Sequence, residues 1–390
     1  MLNTSPSEIA EREVFMDWLR VIAIGFLLLF HTGMLFVGWG WHIVNTGNAA
    51  MLELPMDIAH RLRMPLLFVI AGASMHYALG RRGAFAVLTE RSKRLLLPLV
   101  AGMFIVVPPQ IYFEQLFRQQ WLGTYASFYL ERILDLPTYP GGLTNWHHLW
   151  FIAYLFVYCL ALLPVFAWWR KRRIAQPGLW VYLPGLVLGV NEALLRPRFP
   201  ETHNLFSDWY IVNHYALLFV YGFLLCGVAD IWNWLMLRRR VNLLLGAGLT
   251  AGILMLEALG VRQFQDDTRG DAVSANLFTW IWLLVLLGYG KRWLSFSNAT
   301  LRYLNEACYP IYLLHQTIII AVGFFVIQQP WSWQQKYLVV LGATLVLCFG
   351  LYEGLIRRWQ LSRLLFGMKG GPRITKEGFR RTTTPGAERY

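Results

Sequence analysis

Charged residues are scarce in this chain. They make up only 15% of its 390 residues, whereas 56% are hydrophobic, and the mean hydropathy is +0.43. A soluble globular domain ordinarily carries about 25% charged residues, so no soluble domain longer than a loop is expected. Runs of roughly 20 apolar residues recur along the whole length, and each can cross a hydrocarbon core of about 30 Å as a helix. The sequence therefore predicts an all-α fold, a polytopic membrane helical bundle.

Cysteine is also rare, with four residues in the chain. All four fall inside apolar runs, with neither disulfide-framework nor metal-ligand spacing, so we expect small buried hydrophobic side chains and no metal site. No cleavable signal peptide is expected, because the first apolar run is too long and has no small-residue cleavage site. The cysteines are Cys159, Cys226, Cys308 and Cys348.

Lysine and arginine set the predicted topology. With the N-terminus in the cytoplasm, 26 of the 35 basic residues fall on the cytoplasmic side of the alternating spans, which favours an N-in, C-in arrangement and an even number of helices. The net charge of +13 is thus a topology signal, and we expect no nucleic-acid binding. We predict about ten transmembrane helices, at residues 14–38, 62–80, 95–117, 148–168, 179–195, 211–229, 241–260, 276–290, 303–327 and 335–356.

The first predicted helix carries ionisable residues inside an apolar run, which is costly in a bilayer and typical of functional sites. Arg20 and His31 are eleven residues apart, so at 100° per residue they share one face, about 16 Å apart along the axis. Asp17 lies within about 60° of Arg20 and can pair with it. Burial disfavours a charged imidazole, so we expect His31 to be neutral and able to accept a proton. The alternative is a histidine that serves packing alone.

Arginines mark the next two predicted spans. Arg63 enters the second span from the outer side and needs a partner, and Arg91 and Arg94 stand three residues apart at the cytoplasmic mouth of the third. Arginine binds phosphate groups bidentately, so this pair suits the phosphates of an acyl-CoA. Positive-inside charge explains the pair equally well.

Two further clusters lie at the outer start of the fourth span and inside the ninth. His148 and Trp150 stand where an external substrate would enter. Tyr312 and His315 share a helical face at i,i+3 spacing, so they either line the same cavity as His31 or bond helix to helix. The outer loops contain Trp, Tyr, Asn, His and Asp, which suits a sugar, although an interfacial aromatic belt explains most of the tryptophans.

Five sequence blocks follow one another along nearly the whole chain, and together they resemble the membrane acyltransferase-3 family in content and order. Within the family, FHTGMLFVGWGWHIVN (30–45) and RLRMPLLFVIAG (61–72) are most similar to the branch that contains the periplasmic glucan succinyltransferase, glucan biosynthesis protein C. The blocks are Arg20-x10-His31, RMPLLFVIAG (63–72), RSKRLLLP (91–98), HLWFIAYL (148–155) and YLNEACYPIYLLHQ (303–316).

The resemblance implies a ten-helix acyltransferase domain over residues 1–360, in the bacterial inner membrane, followed by a basic cytoplasmic tail over 361–390 that we predict to be disordered. It implies transfer of an acetyl or succinyl group from acyl-CoA, with no permanently bound cofactor, to a hydroxyl of a periplasmic glycan. A homodimer or a biosynthetic partner protein is compatible with it. The expected catalytic residues are His31, Arg20, Asp17 and His315; the donor site is Arg91, Arg94 and Glu306; and the acceptor side is Arg63, His42, His148, Trp150 and Tyr312.

Two other function classes remain open at this point. A transporter or flippase for a glycan or lipid would also be polytopic, but such proteins often show repeated halves with matching broken spans, and this chain shows no internal repeat. An inactive relative that serves as a sensor or assembly partner would have no need to keep Arg20 and His31 in phase. Binding of acyl-CoA to the purified protein separates an acyltransferase from a plain flippase.

Overall fold

Every regular element of the described structure is a helix. The computed structural model describes residues 13–47, 49–132, 145–170, 172, 176–260 and 269–368. The helices are α1 (Val14–Gly33), α2 (Ala50–Arg81), α3 (Ala84–Phe117), α4 (Tyr125–Arg132), α5 (His147–Trp169), α6 (Leu179–Leu195), α7 (Trp209–Leu225), α8 (Ile231–Ala258), α9 (Arg269–Trp293), α10 (Ala299–Val326), α11 (Trp333–Ile356) and α12 (Gln360–Leu365).

The predicted all-helical membrane bundle is confirmed. Eight of these helices are long and apolar enough to cross a membrane, and two shorter apolar helices, α6 and α7, complete the ten that the sequence predicts. Helix α8 packs mainly against α9 and leaves large apolar side chains such as Leu237, Leu244 and Met255 exposed, as expected of a lipid-facing helix. The N-in, C-in orientation stays a prediction.

Several predicted helix boundaries are wrong. Helix α1 ends at Gly33, five residues before the predicted end of its span at residue 38. Helix α2 begins at Ala50 rather than at 62. The hydropathy pattern hides this start, because the early part of the helix carries polar side chains that face a cavity inside the bundle. Helix α3 begins at Ala84 rather than at 95, and it contains two π-helical turns, Ser92–Leu96 and Gly102–Val106.

The predicted boundary between the domain and the tail, at residue 361, stays a prediction. It falls within α12 (Gln360–Leu365), and the chain then turns at Gly367, which has a positive φ of 65°. Gly367 and Met368 line a cavity between the helices, so the folded unit extends at least to residue 368. Residues 369–390 of the predicted tail lie outside the described residues.

Helices α2 and α7 cross in backbone contact at a pair of glycines. A Cβ atom at Gly72 would lie 1.9 Å from the carbonyl oxygen of Phe219, and one at Gly222 would lie 2.0 Å from that of Val69. Both distances are far inside van der Waals contact, so only glycine fits at either position. Small residues of this kind let membrane helices approach closely and gain dispersion energy.

The segment after α1 folds back onto the bundle. Leu35, Phe36 and Ile43 are buried in one cluster with residues of α10 and α11. The ammonium of Lys336, only 5% exposed, donates hydrogen bonds to Asn45 Oδ1 at 2.8 Å and to the carbonyl oxygen of Ile327 at 2.9 Å. A buried lysine therefore ties the segment to α11.

We expect Lys336→Met to destabilise the protein by about 1–3 kcal/mol, because the apolar side chain leaves two buried acceptors without a donor. Thermal unfolding of the detergent-solubilised protein measures the change. Lys291→Met is the matched control, because it removes a partly exposed ion pair with Glu13 (2.7 Å), a type of interaction worth less than about 1 kcal/mol. Equal unfolding midpoints for the two variants would contradict the prediction.

Candidate active site

Among the described residues, Tyr312 lines two cavities. The first, called here the histidine cavity, has a volume of about 680 Å³ and is lined by His31, His60, His148, His203 and His214 among others. The second, called here the arginine cavity, has a volume of about 550 Å³ and is lined by Arg20, Arg81, Arg82, Arg91, Arg94 and Arg302 among others.

A chain of hydrogen bonds fixes the tautomer of His31. Nδ1 of His315 lies 2.6 Å from the carbonyl oxygen of Tyr312, which can only accept, so this nitrogen carries the proton. In a neutral ring Nε2 of His315 is then an acceptor, and Nδ1 of His31, 2.7 Å away, donates to it. The lone pair of His31 is thus on Nε2, and the residue lines the histidine cavity. His31 is arranged to accept a proton from a bound hydroxyl.

His315 is fully buried behind His31 rather than in the cavity wall. The two ring planes are nearly parallel, 9° apart, and their centroids are 4.9 Å apart. The sequence left two alternatives for Tyr312 and His315: lining the cavity of His31 or bonding one helix to another. Tyr312 lines the cavities, whereas His315 bonds α10 to α1 through His31. His315 therefore orients the ring of His31.

His148 and Tyr312 form the wall between the cavities. The Tyr312 hydroxyl donates to the carbonyl oxygen of His148 at 2.5 Å, and Nε2 of His148 donates to the carbonyl oxygen of Leu313 at 2.9 Å. Nδ1 of His148 is buried without a hydrogen-bond partner. The wall is held by backbone contacts between α5 and α10, and one imidazole nitrogen is left for a ligand.

Arg63 is a buried cation in the histidine cavity, with 8% of its surface exposed. Its Nη2 lies 3.4 Å from Nδ1 of His60, and its guanidinium carbon is 3.3 Å from the ring centroid of Phe30. Nε and Nη1 are buried and have no hydrogen-bond partner. These two donors are available to an anionic or carbonyl oxygen near His31.

Arg20 joins three helices in the arginine cavity. Its Nη1 donates to Asp17 Oδ1 at 2.8 Å and to Asn305 Oδ1 at 3.1 Å, and its Nη2 donates to Ser74 Oγ at 3.3 Å. The pairing of Asp17 with Arg20 that the helical spacing allowed is therefore present. The same helix α1 places Arg20 in one cavity and His31 in the other.

Arg91, Arg94 and Glu306 lie together in the arginine cavity. Arg94 belongs to the first π-helical turn of α3, and its Nε donates to the carbonyl oxygen of Gly367 at 3.1 Å. Glu306 accepts from Arg363 Nη2 at 3.1 Å. The residue types predicted for a donor site are thus assembled from α3, α10 and the segment after α11.

The structure does not bring His42 to either cavity. It lies in the folded-back segment, where Nδ1 bonds to the buried carboxylate of Glu114 and Nε2 lies 3.3 Å from Gln316. Trp150, by contrast, lines the histidine cavity, with its ring 4.3 Å from that of His203. His42 therefore contributes to the packing beside the site, while Trp150 faces the space that a ligand would occupy.

Sequence reasoning missed two buried ionisable residues of the histidine cavity, Glu192 and His214. Glu192 on α6 is 7% exposed and accepts hydrogen bonds from Arg196 Nη1 and Asn276 Nδ2, each at 2.6 Å. His214 on α7 is 7% exposed, and its Nδ1 has no hydrogen-bond partner. The rule that an ionisable residue within a membrane span is functional singles out Glu192 and His214 as readily as it does His31.

A family model described as an acyltransferase domain matches residues 13–353. Curated relatives named glucans biosynthesis protein C, from Salmonella schwarzengrund, Salmonella typhimurium and Salmonella typhi, are each 22% identical, and each match covers 94% of this chain and 97% of the relative. No solved structure matches the chain significantly.

Proposed function

The chain belongs to the acyltransferase-3 family of membrane acyltransferases, and from this premise we propose that it transfers an acetyl or succinyl group from cytoplasmic acyl-CoA to a hydroxyl of a periplasmic glycan. The observation that carries the proposal is the hydrogen-bond chain from the Tyr312 carbonyl through His315 to His31. A neutral imidazole with its lone pair facing a cavity is what a general base for an attacking hydroxyl requires.

The reaction balances with these groups. The acceptor hydroxyl attacks the thioester carbonyl, and Nε2 of His31 takes the hydroxyl proton as the new C–O bond forms. Nε and Nη1 of Arg63 donate to the oxyanion of the tetrahedral intermediate. The C–S bond then breaks, and the CoA thiolate takes the proton from His31. The products are the acyl ester and CoA, and the base is regenerated.

The arginine cavity is suited to the CoA portion of the donor. Six arginines line it, and arginine binds phosphate as a charged bidentate donor. Arg20 and His31 are about 16 Å apart along α1, so the pantetheine arm has to extend past Tyr312 to deliver the thioester to His31. Under the predicted N-in orientation the arginine cavity faces the cytoplasm, where acyl-CoA is made.

The identity of the acceptor rests on the relatives. They are named for glucan biosynthesis, which supports a glucan or a related glycan in the periplasm and a location in the bacterial inner membrane. The experiment that tests the function uses the purified protein in detergent with radiolabelled acetyl-CoA or succinyl-CoA and a glucan acceptor. Mass spectrometry of the glucan should show the added mass of one acyl group. A protein that binds acyl-CoA and leaves the glucan unmodified would contradict the proposal, and one that binds no acyl-CoA would favour a transporter.

We expect Arg94→Ala to raise the KM for acyl-CoA by roughly tenfold or more, because a charge-assisted hydrogen bond to a phosphate is lost, and to change the KM for the acceptor little. Steady-state kinetics against each substrate separate the two effects. Arg240→Ala is the matched control, since this exposed arginine lies outside both cavities. A KM for acyl-CoA that is equal in the two variants would contradict a role of Arg94 in donor binding.

A further inference from the structure

Two ion pairs and one histidine–carboxylate contact lie in the lining of the histidine cavity. Arg61 Nε lies 3.1 Å from Asp57 Oδ2, Arg196 Nη1 lies 2.6 Å from Glu192 Oε1, and His203 Nε2 lies 3.2 Å from Glu201 Oε1. Each carboxylate oxygen can accept more than one hydrogen bond. The wall therefore offers both donors and acceptors without a large excess of either charge.

The cavity continues well beyond the residues assigned to the chemistry. His31 interacts electrostatically with His315, Arg63, His148 and His42. Nη2 of Arg63 lies 3.4 Å from Nδ1 of His60, and His60 interacts electrostatically with Arg196. Arg196 in turn forms an ion pair with Glu192. The volume of about 680 Å³ lies within the range of small-molecule sites, about 300–1,000 Å³, so the cavity has room for more than one reacting hydroxyl.

A polar cluster, called here the cradle, lies at the other end of the cavity and is formed by side chains from three helices. Glu192 comes from α6, Asn276 from α9 and His214 from α7. Both amide protons of Asn276 are used, one on Glu192 Oε2 at 2.6 Å and one on the carbonyl oxygen of Ala272 at 2.7 Å, so its orientation is fixed. Close packing of the helices supports the cradle, because a Cβ atom at Gly189 would lie 2.6 Å from the Cα of Val273.

Some residues that line this cavity carry buried polar atoms with no hydrogen-bond partner in the described structure. They belong to His148 near His31, to Arg63, to Trp39 through its indole nitrogen, and to His214 beside Glu192. A buried polar group without a partner is costly, so a ligand that reached it would gain a hydrogen bond. Their distribution over the cavity lining suits one extended ligand with several hydrogen-bonding groups.

The balance of charge restricts the chemistry of that ligand. A hydroxyl donates one hydrogen bond and can accept two, which matches a wall of carboxylates next to guanidinium and imidazole groups. An anionic ring would meet the carboxylates of Glu192, Glu201 and Asp57, and a cationic ring would meet Arg63 and Arg196. Trp39 and Trp150 add aromatic faces to the same wall.

We infer that Glu192, Asn276 and His214 form an acceptor subsite that binds an uncharged sugar ring next to the ring that is acylated at His31. The inference rests on the proposed function and deepens it, because it assigns the selection of the acceptor to residues outside the reacting centre. The carboxylate of Glu192 accepts hydroxyl hydrogen bonds from a neutral ring and repels an acidic one. The subsite makes the enzyme specific for neutral oligosaccharides of at least two rings.

The test compares acyl transfer from acyl-CoA to a neutral glucose oligosaccharide and to an acidic uronic-acid oligosaccharide of the same length. The unmodified protein should favour the neutral one. Glu192→Gln should raise the KM for the neutral oligosaccharide by roughly tenfold to a hundredfold. It should also reduce the preference for the neutral over the acidic oligosaccharide, while the KM for acyl-CoA stays within about twofold. His214→Phe, which keeps a flat ring, should also raise the acceptor KM.

The outcomes that test the subsite differ from the outcome that tests the acyl-transfer reaction. Glu257→Gln is the matched control, because it removes the same charge from an exposed position on α8 and should leave both KM values unchanged. An acceptor KM that is unchanged in both cavity variants overturns the inference, and so does equal use of the two oligosaccharides by the unmodified protein. A parallel rise in both KM values identifies a structural role and overturns it too. Failure of the unmodified protein to acylate any oligosaccharide overturns the proposed function itself.

Discussion

His31→Ala should abolish acyl transfer, with a loss of at least about a hundredfold, while the protein stays folded in the membrane. The loss follows from the removal of the general base, which ordinarily contributes about 10²–10⁴-fold. The ring is held by a single strong contact, the 2.7 Å bond to His315, and it lines a cavity, so its removal leaves the packing of α1 largely intact. The measurement is the initial rate of acyl transfer, together with the yield of monodisperse protein after detergent extraction.

A graded series at His315 separates positioning from packing. His315→Gln keeps an acceptor for His31 Nδ1 and a donor for the carbonyl oxygen of Tyr312, so it should retain more activity than His315→Ala. His76→Ala is the control, because this histidine of α2 lies outside both cavities, and its activity should match that of the unmodified protein. Substantial activity in His31→Ala would exclude His31 as the base.

Gly222→Leu should prevent the bundle from forming, and Gly222→Ala should lower the stability by about 2–3 kcal/mol. A Cβ atom at this position would lie 2.0 Å from the carbonyl oxygen of Val69, so α2 and α7 must separate. Overpacking typically costs about 1–3 kcal/mol, and here the clash is with a backbone atom that has no rotamer to change. Separation also moves Arg63 on α2 relative to Tyr215 on α7, both of which line the histidine cavity.

The matched control is Gly248→Ala on α8, where a Cβ atom would meet nothing within 4 Å. Thermal unfolding followed by size-exclusion chromatography should show a lower midpoint for Gly222→Ala and an unchanged one for Gly248→Ala. Gly72→Ala should behave like Gly222→Ala, since its Cβ atom would lie 1.9 Å from the carbonyl oxygen of Phe219. If Gly222→Ala unfolded at the temperature of the control, the close crossing would have no energetic importance.

The number and type of helices could be predicted from the sequence, because apolar runs of sufficient length have only one way to satisfy their backbone in a bilayer. The ends could not. Leu35 and Phe36 are apolar and extend the hydropathy signal of α1, yet they leave the helix and pack against other elements. At the start of α2, Asp57 and Arg61 are polar because they face a cavity, so the hydropathy pattern hides a helical segment.

The candidate site also has a part that could be predicted from the sequence and a part that could not. Helical spacing places Arg20 and His31 on one face, since both lie on one straight element. The contact between His31 and His315 depends on the register of α1 against α10, to which a single sequence gives no access. The acceptor role of His42 stays a prediction; the structure places this residue against Glu114 and outside the lining of both cavities.

Tyr312 belongs to both cavities at once, and this has a consequence for the direction of the reaction. Under the proposed orientation, the thioester is cleaved at the wall between two compartments, so the ester leaves on one side and free CoA on the other. Under that orientation the two products would be released into different compartments, and their separation would prevent re-esterification of CoA by the product. The energy of the thioester bond would thus drive the export of an acyl group without a separate carrier.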